Sequence, residues 1–210
     1  KRPDYEVPYR RALDVITGLP GVDERIAMTG YSFGGYVACR VAAYEERIRA
    51  VVPNPPIIDV YRLFKYDSED SLVLKVLPAG WLNRMIERKM QALPLRYALA
   101  KYTMWSFGAP DLSWTEFASF EVQKPFQVGD RLQDLGVPAL ALAGAGEGDE
   151  MLRQTRSFYD TIASEHKRLH IFTIGEDRAN DHCQLDNRAR ANQVMFDWLD
   201  GVFEYRYELN

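Results

Sequence analysis

The sequence predicts an α/β fold: a parallel sheet flanked by helices, with a helical insertion part-way along. Three observations carry this. Short apolar runs that end in Gly or Pro alternate with amphipathic stretches. One apolar run passes through a Gly-rich turn directly into a helix rich in small residues, in "MTGYSFGGYVACRVAAY". Between about 57 and 129 the alternation stops and a Met-rich, aromatic, helical pattern takes over.

The elements follow in order. "YRRALDVITGL" places Ala12, Leu13, Val15 and Ile16 at helical spacing, closed by Gly18. "RIAMTG" is a short strand. "FGGYVACRVAAYEERI" is a helix, and "IRAVVPNPP" is an apolar strand stopped by prolines, as a buried parallel strand would be. The insertion holds Tyr61, Phe64, Tyr66, Trp81, Tyr97, Tyr102, Trp105, Phe107, Trp114, Phe117 and Phe120. "VPALALAG" is then a strand, and Met151, Leu152, Thr155, Phe158, Tyr159 and Ile162 recur at helical spacing. "RLHIFTI" is a strand, and Ala191, Val194, Met195, Trp198 and Val202 mark a last amphipathic helix. Strands that alternate with helices pair in parallel through right-handed crossovers. The expected division is 1–56 and 130–210 for two halves of one core and 57–129 for the insertion.

Bulk composition narrows the function. The 210 residues are 47% hydrophobic and 27% charged, with a net charge of −4, an ordinary globular balance. No run of Lys or Arg exceeds two residues, which argues against nucleic acid and anionic membrane as partners. No apolar stretch approaches the roughly 20 residues of a membrane helix. Cys39 and Cys183 form no disulfide framework and no metal-ligand spacing, so a reducing, cytoplasmic compartment is expected, with no metal and no cofactor. The chain opens on Lys1 without an initiator Met.

Gly30-Tyr31-Ser32-Phe33-Gly34 fits G-x-S-x-G. The pattern alone is weak, but here a strand enters it and a helix leaves it. That turn strains Ser32, requires small residues at 30 and 34, and sets the hydroxyl at a helix N-terminus, while Gly35 lets the helix pack closely on the sheet. The Phe33 N–H then points where an oxyanion would form. The plainer reading is a serine in a Gly-rich turn.

A serine nucleophile needs a base. Of three histidines, His166 lies in a charged connection and His170 within a strand. His182 lies in the polar loop "GEDRANDHCQLDN" after the last strand, which opens at the same carboxyl edge of the sheet as the Ser32 turn. The acid is expected after the preceding strand, in "ALALAGAGEGDEM". Asp149 is favoured for its short side chain and Gly-rich approach. Glu147 and Asp59 are the alternatives, and each could instead be a solvated loop charge. Cys183 and Cys39 read as packing residues.

"GYSFGGYVA", "EGDEMLRQTRSFYD" and "ANDHCQLDNRARANQVMFDWLD" together resemble the α/β-hydrolases, in the branch of fungal polyketide-shortening pigment hydrolases, dihydropseudooxynicotine C–C hydrolases and fermentation-respiration-switch-type esterases. The resemblance spans nearly all of 1–205 and is thinnest across 57–129. It implies the C-terminal part of an α/β-hydrolase sheet with 57–129 as a helical lid, and it implies Ser32, Asp149 and His182 as nucleophile, acid and base. Asn180-Asp181 stand where the branch has small residues. The implied reaction is hydrolysis of an ester or of a C–C bond beside a ketone in a small apolar or aromatic, polyketide-like substrate. The alternatives are an acyltransferase or cyclase using the same acyl-enzyme, and a non-catalytic binding protein on a hydrolase fold. The resemblance further implies strands ahead of the nucleophile strand, so an amino-terminal segment of the same protein is expected as a partner. A homodimer stays open.

Overall fold

The computed structural model describes residues 1–63, 77–117 and 121–204. The aromatic positions 64, 66 and 120 lie outside them. The chain forms two compact units: Lys1–Pro3 with Val60–Gln127, and Asp4–Asp59 with Val128–Asn210.

The larger unit is built on four parallel strands, β1 (Ala27–Tyr31), β2 (Ala50–Asn54), β3 (Ala139–Gly144) and β4 (Lys167–Phe172), in the order β1-β2-β3-β4. Ala27 pairs with Ala50 and Tyr31 with Asn54; Ala139 pairs with Lys167 and Gly144 with Phe172. β2 and β3 are buried along their whole length, as strands covered on both faces must be. Helix α1 (Glu6–Ile16) precedes β1, and α2 (Phe33–Tyr44) follows it.

One face of the sheet presents Ala50, Val52, Leu140, Leu142 and Phe172 to Ala191, Val194, Met195 and Leu199 of the last helix, which runs from Arg188 to Val202. By strand alternation Val51, Ala139 and Ala141 belong to the opposite face. Helix α2 is buried nearly all round, from Gly35 through Cys39 to Val41 and Ala42. It packs on β1 and β2 beneath α1. Arg40 of α2 pairs in a fork with Glu6 of α1, at 2.6 and 2.8 Å.

Close contact of α2 with β2 depends on Gly35. A Cβ there would stand 1.9 Å from the Pro55 carbonyl oxygen, which is backbone and cannot yield. The equivalent atom at Gly34 would meet nothing within 4 Å. Gly35 thus admits the helix to the sheet as expected, and the expectation is corrected at one position only: 30 is crowded, but 34 has room for a side chain.

The smaller unit is helical. Helices α3 (Ala79–Gln91) and α4 (Pro94–Ser106) form a hairpin whose turn places Pro94 at the first helical position, and α5 (Trp114–Phe117) follows. Glu87 accepts from Trp114 Nε1 and from the Tyr97 hydroxyl (3.0 Å). Phe107 meets Phe126 edge-on at 4.9 Å. Part of the aromatic set forms this unit's core, whereas Trp81, Tyr102 and Trp105 are exposed on the unit's helices. Among the described residues no helix is long and apolar enough to cross a membrane.

Gly35→Ala is expected to lower the melting temperature by about 10 °C or to prevent folding, because backbone must move to admit the methyl. Gly34→Ala should change it by no more than a few degrees, since Ala costs nothing in a helix with room for it. Thermal unfolding followed by circular dichroism compares the two.

Candidate active site

The site is assembled at the carboxyl ends of the strands, from the turn after β1, the turn after β3 and the loop after β4. Ser32 stands between β1 and α2 with φ 56° and ψ −124°, a backbone conformation that L-residues avoid and that functional turns retain. Two contacts hold it: the Ser32 N–H donates to the Asn54 carbonyl (2.9 Å), and its carbonyl accepts from the Gly35 N–H (2.7 Å). The turn is so tight that a Cβ on Gly30 would stand 1.9 Å from the Gly34 carbonyl oxygen. Phe33 is the first residue of α2, so its N–H lies in the helix's first turn, next to the serine. Its ring stacks with Tyr36 (5.5 Å) and meets Tyr5 edge-on (5.8 Å).

Ser32 Oγ lies 2.9 Å from His182 Nε2, and His182 Nδ1 lies 2.6 Å from Glu147 Oε2. Because the carboxylate can only accept, Nδ1 carries the proton of the neutral ring. Nε2 is then the acceptor for the serine hydroxyl. The Glu147 side chain is fully buried. Its other oxygen accepts from the Cys183 N–H (3.1 Å) and, at longer range, the Gly144 N–H (3.4 Å). The His182 pKa is pushed up to about 10 by the Cys183 sulfur, 3.5 Å from Nε2, and by the Glu147 carboxylate, both of which favour the imidazolium.

The structure thus brings Ser32, His182 and Glu147 into one chain of contacts, and it places Glu147, rather than the favoured Asp149, against the ring. Asp149 is exposed and is already the first residue of helix α6 (Asp149–Thr161). The physical reason lies in the turn. Glu147 N–H closes back on Gly144 O (3.1 Å), while Gly146 N–H donates to Asn180 O (3.0 Å) of the histidine loop. Up to Glu147 the chain lies against that loop. Gly148, at φ 90°, then swings it away into α6. A Cβ at Gly144 would meet Asn180 O at 2.4 Å and Asp181 O at 2.6 Å, so glycine there lets the two loops touch. The third alternative, Asp59, is bonded through its backbone to α6. Its N–H donates to Gln154 Oε1 (3.0 Å) and its carbonyl accepts from Gln154 Nε2 (2.8 Å).

The histidine loop is braced from behind. Helix α7 (Ile174–Asp177) ends in Asp177, a buried carboxylate that meets His170 Nε2 (3.1 Å) and Arg190 Nε (2.9 Å). Burial opposes its charge, but Arg190 and His170 outweigh it and hold the carboxyl below its ordinary range. Asp186 accepts the N–H groups of Asn180 (2.7 Å) and Asp181 (3.2 Å), and Asp181 Oδ1 accepts the His182 N–H (2.8 Å). The polar residues before the histidine therefore fix its backbone.

Sequence reasoning missed a second tie. Asn54 Nδ2 donates to Gln184 Oε1 (2.7 Å), both side chains being buried, so the end of β2 is bonded to the histidine loop directly under Ser32. It also took Cys183 for packing alone, whereas its thiol donates to Asn54 O (3.2 Å). The one signal available was the string His-Cys-Gln itself, since the partner is 129 residues away.

The chain is similar to known proteins in sequence and in fold. The acetyl xylan esterase (AXE1) family model matches residues 7–71. The "Hydrolase acrC" of Aspergillus aculeatus is 26% identical over 227 residues, which covers 98% of this chain and 50% of that protein. The chain spans about half the length of the curated relatives it matches over its whole extent. Among solved structures, 2,6-dihydroxy-pseudo-oxynicotine hydrolase superposes with a TM-score of 0.60 at 23% identity, covering 95% of this chain and 46% of that one. Acetyl xylan esterase 1 from Thermoanaerobacterium sp. JW/SL YS485 gives 0.52 at 17%, covering 94% and 52%.

The assignment of the carboxylate is testable without any substrate. Glu147→Gln should bring the His182 imidazolium pKa down towards its ordinary value, because the anion that favours the charged ring is removed. Asp149→Asn should leave it where it is. Histidine proton or nitrogen NMR across a pH series reads both.

Proposed function

We propose that this chain, which has the α/β-hydrolase fold, works as a serine hydrolase through Ser32, His182 and Glu147. The observation that carries the proposal is the unbroken contact chain from Ser32 Oγ through both ring nitrogens of His182 to the buried Glu147 carboxylate, beginning at a serine in strained backbone geometry. A structural serine in a Gly-rich turn has no need of such a partner.

In the proposed reaction His182 Nε2 takes the Ser32 proton as Oγ attacks the substrate carbonyl. Glu147 keeps the ring in the tautomer that can accept there and offsets the positive charge as it forms. The tetrahedral oxyanion falls to the Phe33 N–H at the positive end of α2. The leaving group departs with the proton from Nε2, water then enters by the same base, and the acyl-serine is cleaved. An ester loses an alcohol in the first half. A 1,3-dicarbonyl loses an enolate, which the same proton quenches. Both pass through one kind of oxyanion, so one site serves either.

The substrate is proposed to be a small apolar or aromatic ester, or a ketone with a carbonyl-flanked C–C bond. Support comes from the names of its relatives and neighbours, which include an acetyl xylan esterase and a 2,6-dihydroxy-pseudo-oxynicotine hydrolase. The aromatic content of 57–129 fits the same substrate class.

Three outcomes test the reading. A fluorophosphonate probe should label Ser32, and Ser32→Ala should abolish labelling. With a panel of aryl esters and aryl 1,3-diketones, Ser32→Ala should lower kcat by roughly 10⁴ to 10⁶-fold with the fold intact, and Glu147→Gln by roughly 10³ to 10⁴-fold. The base must be neutral to accept a proton, and its pKa is raised. The acid limb of kcat/KM should therefore lie above the ordinary histidine range, with activity still climbing past neutral pH. Retention of more than about a tenth of activity in Ser32→Ala would remove serine from the mechanism.

A further inference from the structure

We propose that His182 Nε2 and Cys183 Sγ form a chelating site for Zn²⁺, which on binding takes the catalytic nitrogen away from Ser32 and holds the enzyme off. The inference rests on the serine-hydrolase reading for its effect on activity, but not for the site itself.

The geometry is that of a metal bite. Sγ and Nε2 are 3.5 Å apart. Zinc bonds a thiolate at about 2.3 Å and an imidazole nitrogen at about 2.0 Å, so tetrahedral ligands of these two kinds stand about 3.5 Å from each other. Both ligands are of the type zinc selects, a soft thiolate beside an imidazole. The approach is set by backbone: Cys183 has φ 50° and ψ 24°, a left-handed conformation that turns its side chain back beneath the preceding residue's ring.

The outer contacts are also those of a metal ligand. Metal-bound histidines donate their second ring N–H to a carboxylate, which orients the ring and raises its basicity. Glu147 makes that contact at 2.6 Å. Glu147, His182 and Cys183 have donor atoms within 4.8 Å of one another, yet Glu147 sits at Nδ1 with both oxygens engaged, so its part is to orient rather than to ligate. Water completes the coordination of the ion, which stands between Nε2 and Ser32 Oγ, now 2.9 Å apart.

The proton balance closes within the site. Zinc replaces the thiol proton of Cys183 and, on the imidazolium that the raised His182 pKa favours near neutral pH, the Nε2 proton as well; both leave to solvent. Asn54 O loses the S–H donor but still accepts the Ser32 N–H at 2.9 Å. No buried acceptor is orphaned. His182, with a side chain 41% exposed, gives the ion a route in.

The test uses Co²⁺ as a spectroscopic stand-in and then Zn²⁺ itself. Titration of the chain with CoCl2 should produce a near-ultraviolet thiolate-to-cobalt band that saturates at one equivalent. The band should persist in Cys39→Ala, whose thiol is buried in α2, and vanish in Cys183→Ala and in Cys183→Ser. Micromolar ZnCl2 should block fluorophosphonate labelling of Ser32, EDTA should restore it, and both Cys183 variants should label equally with and without zinc. No band in the parent chain, or a band that survives in folded Cys183→Ala, overturns the site. A chain that shows the band but never labels at Ser32 keeps the metal site and refutes the serine hydrolase instead.

Discussion

The site depends on one interaction, the placing of a buried carboxylate against His182 Nδ1. A fully desolvated carboxylate is costly unless donors surround it. Glu147 meets that demand with the imidazole N–H, the Cys183 N–H and the Gly144 N–H. Each donor imposes a constraint elsewhere. The Cys183 amide can face Glu147 only with that residue at positive φ, and the β3 turn can reach the histidine loop only with glycine at 144. The oddities of both loops are thus consequences of accommodating a single charge.

The backbone carries the remaining strain near the serine. Ser32 at φ 56° is held by Asn54 O on one side and Gly35 N–H on the other, and Asn54 in turn is tied through its side chain to Gln184. Ser32 and His182 come from loops 150 residues apart, yet both are tied to the end of β2. The Asp177 brace with His170 and Arg190 does the same for the far end of the histidine loop, joining β4, α7 and the last helix. Distance control between Ser32 and His182 comes from the sheet and these two buried ties, not from the loops themselves.

How much of this the sequence discloses depends on the range of the interaction. Ser32 is legible because its whole signal is local: an apolar strand, a Gly-rich turn and a small-residue helix within 17 residues. His182 is legible from topology, since only one histidine follows a strand at the carboxyl edge. The acid is not, because Glu147 and Asp149 share the same loop and the same glycines. Which of them reaches the ring is decided by a single φ of 90° at Gly148, and side-chain length, the property that favoured aspartate, is secondary to where the backbone turns. Position 34 shows the same limit: the motif names it as glycine, yet a side chain there would meet nothing, whereas Gly35, legible as a packing glycine, faces the Pro55 carbonyl just past β2. Asn54–Gln184 and Cys183–Asn54 leave no trace in periodicity or composition, being contacts between distant loops.

A carboxylate that fixes an imidazole tautomer serves two chemistries alike. A neutral ring with its Nδ1 proton held by Glu147 presents an Nε2 lone pair of enhanced basicity, and that lone pair can accept a proton from Ser32 or bond a cation. Which it does is settled by what else faces Nε2. An oxygen alone favours the proton, because serine is a poor metal ligand at neutral pH. A thiol at 3.5 Å changes the comparison, since it adds a soft donor at the right separation and surrenders its proton to the metal. On the proposed reading, Cys183 turns the ring that serves Ser32 into half of a zinc site without moving the residues around it.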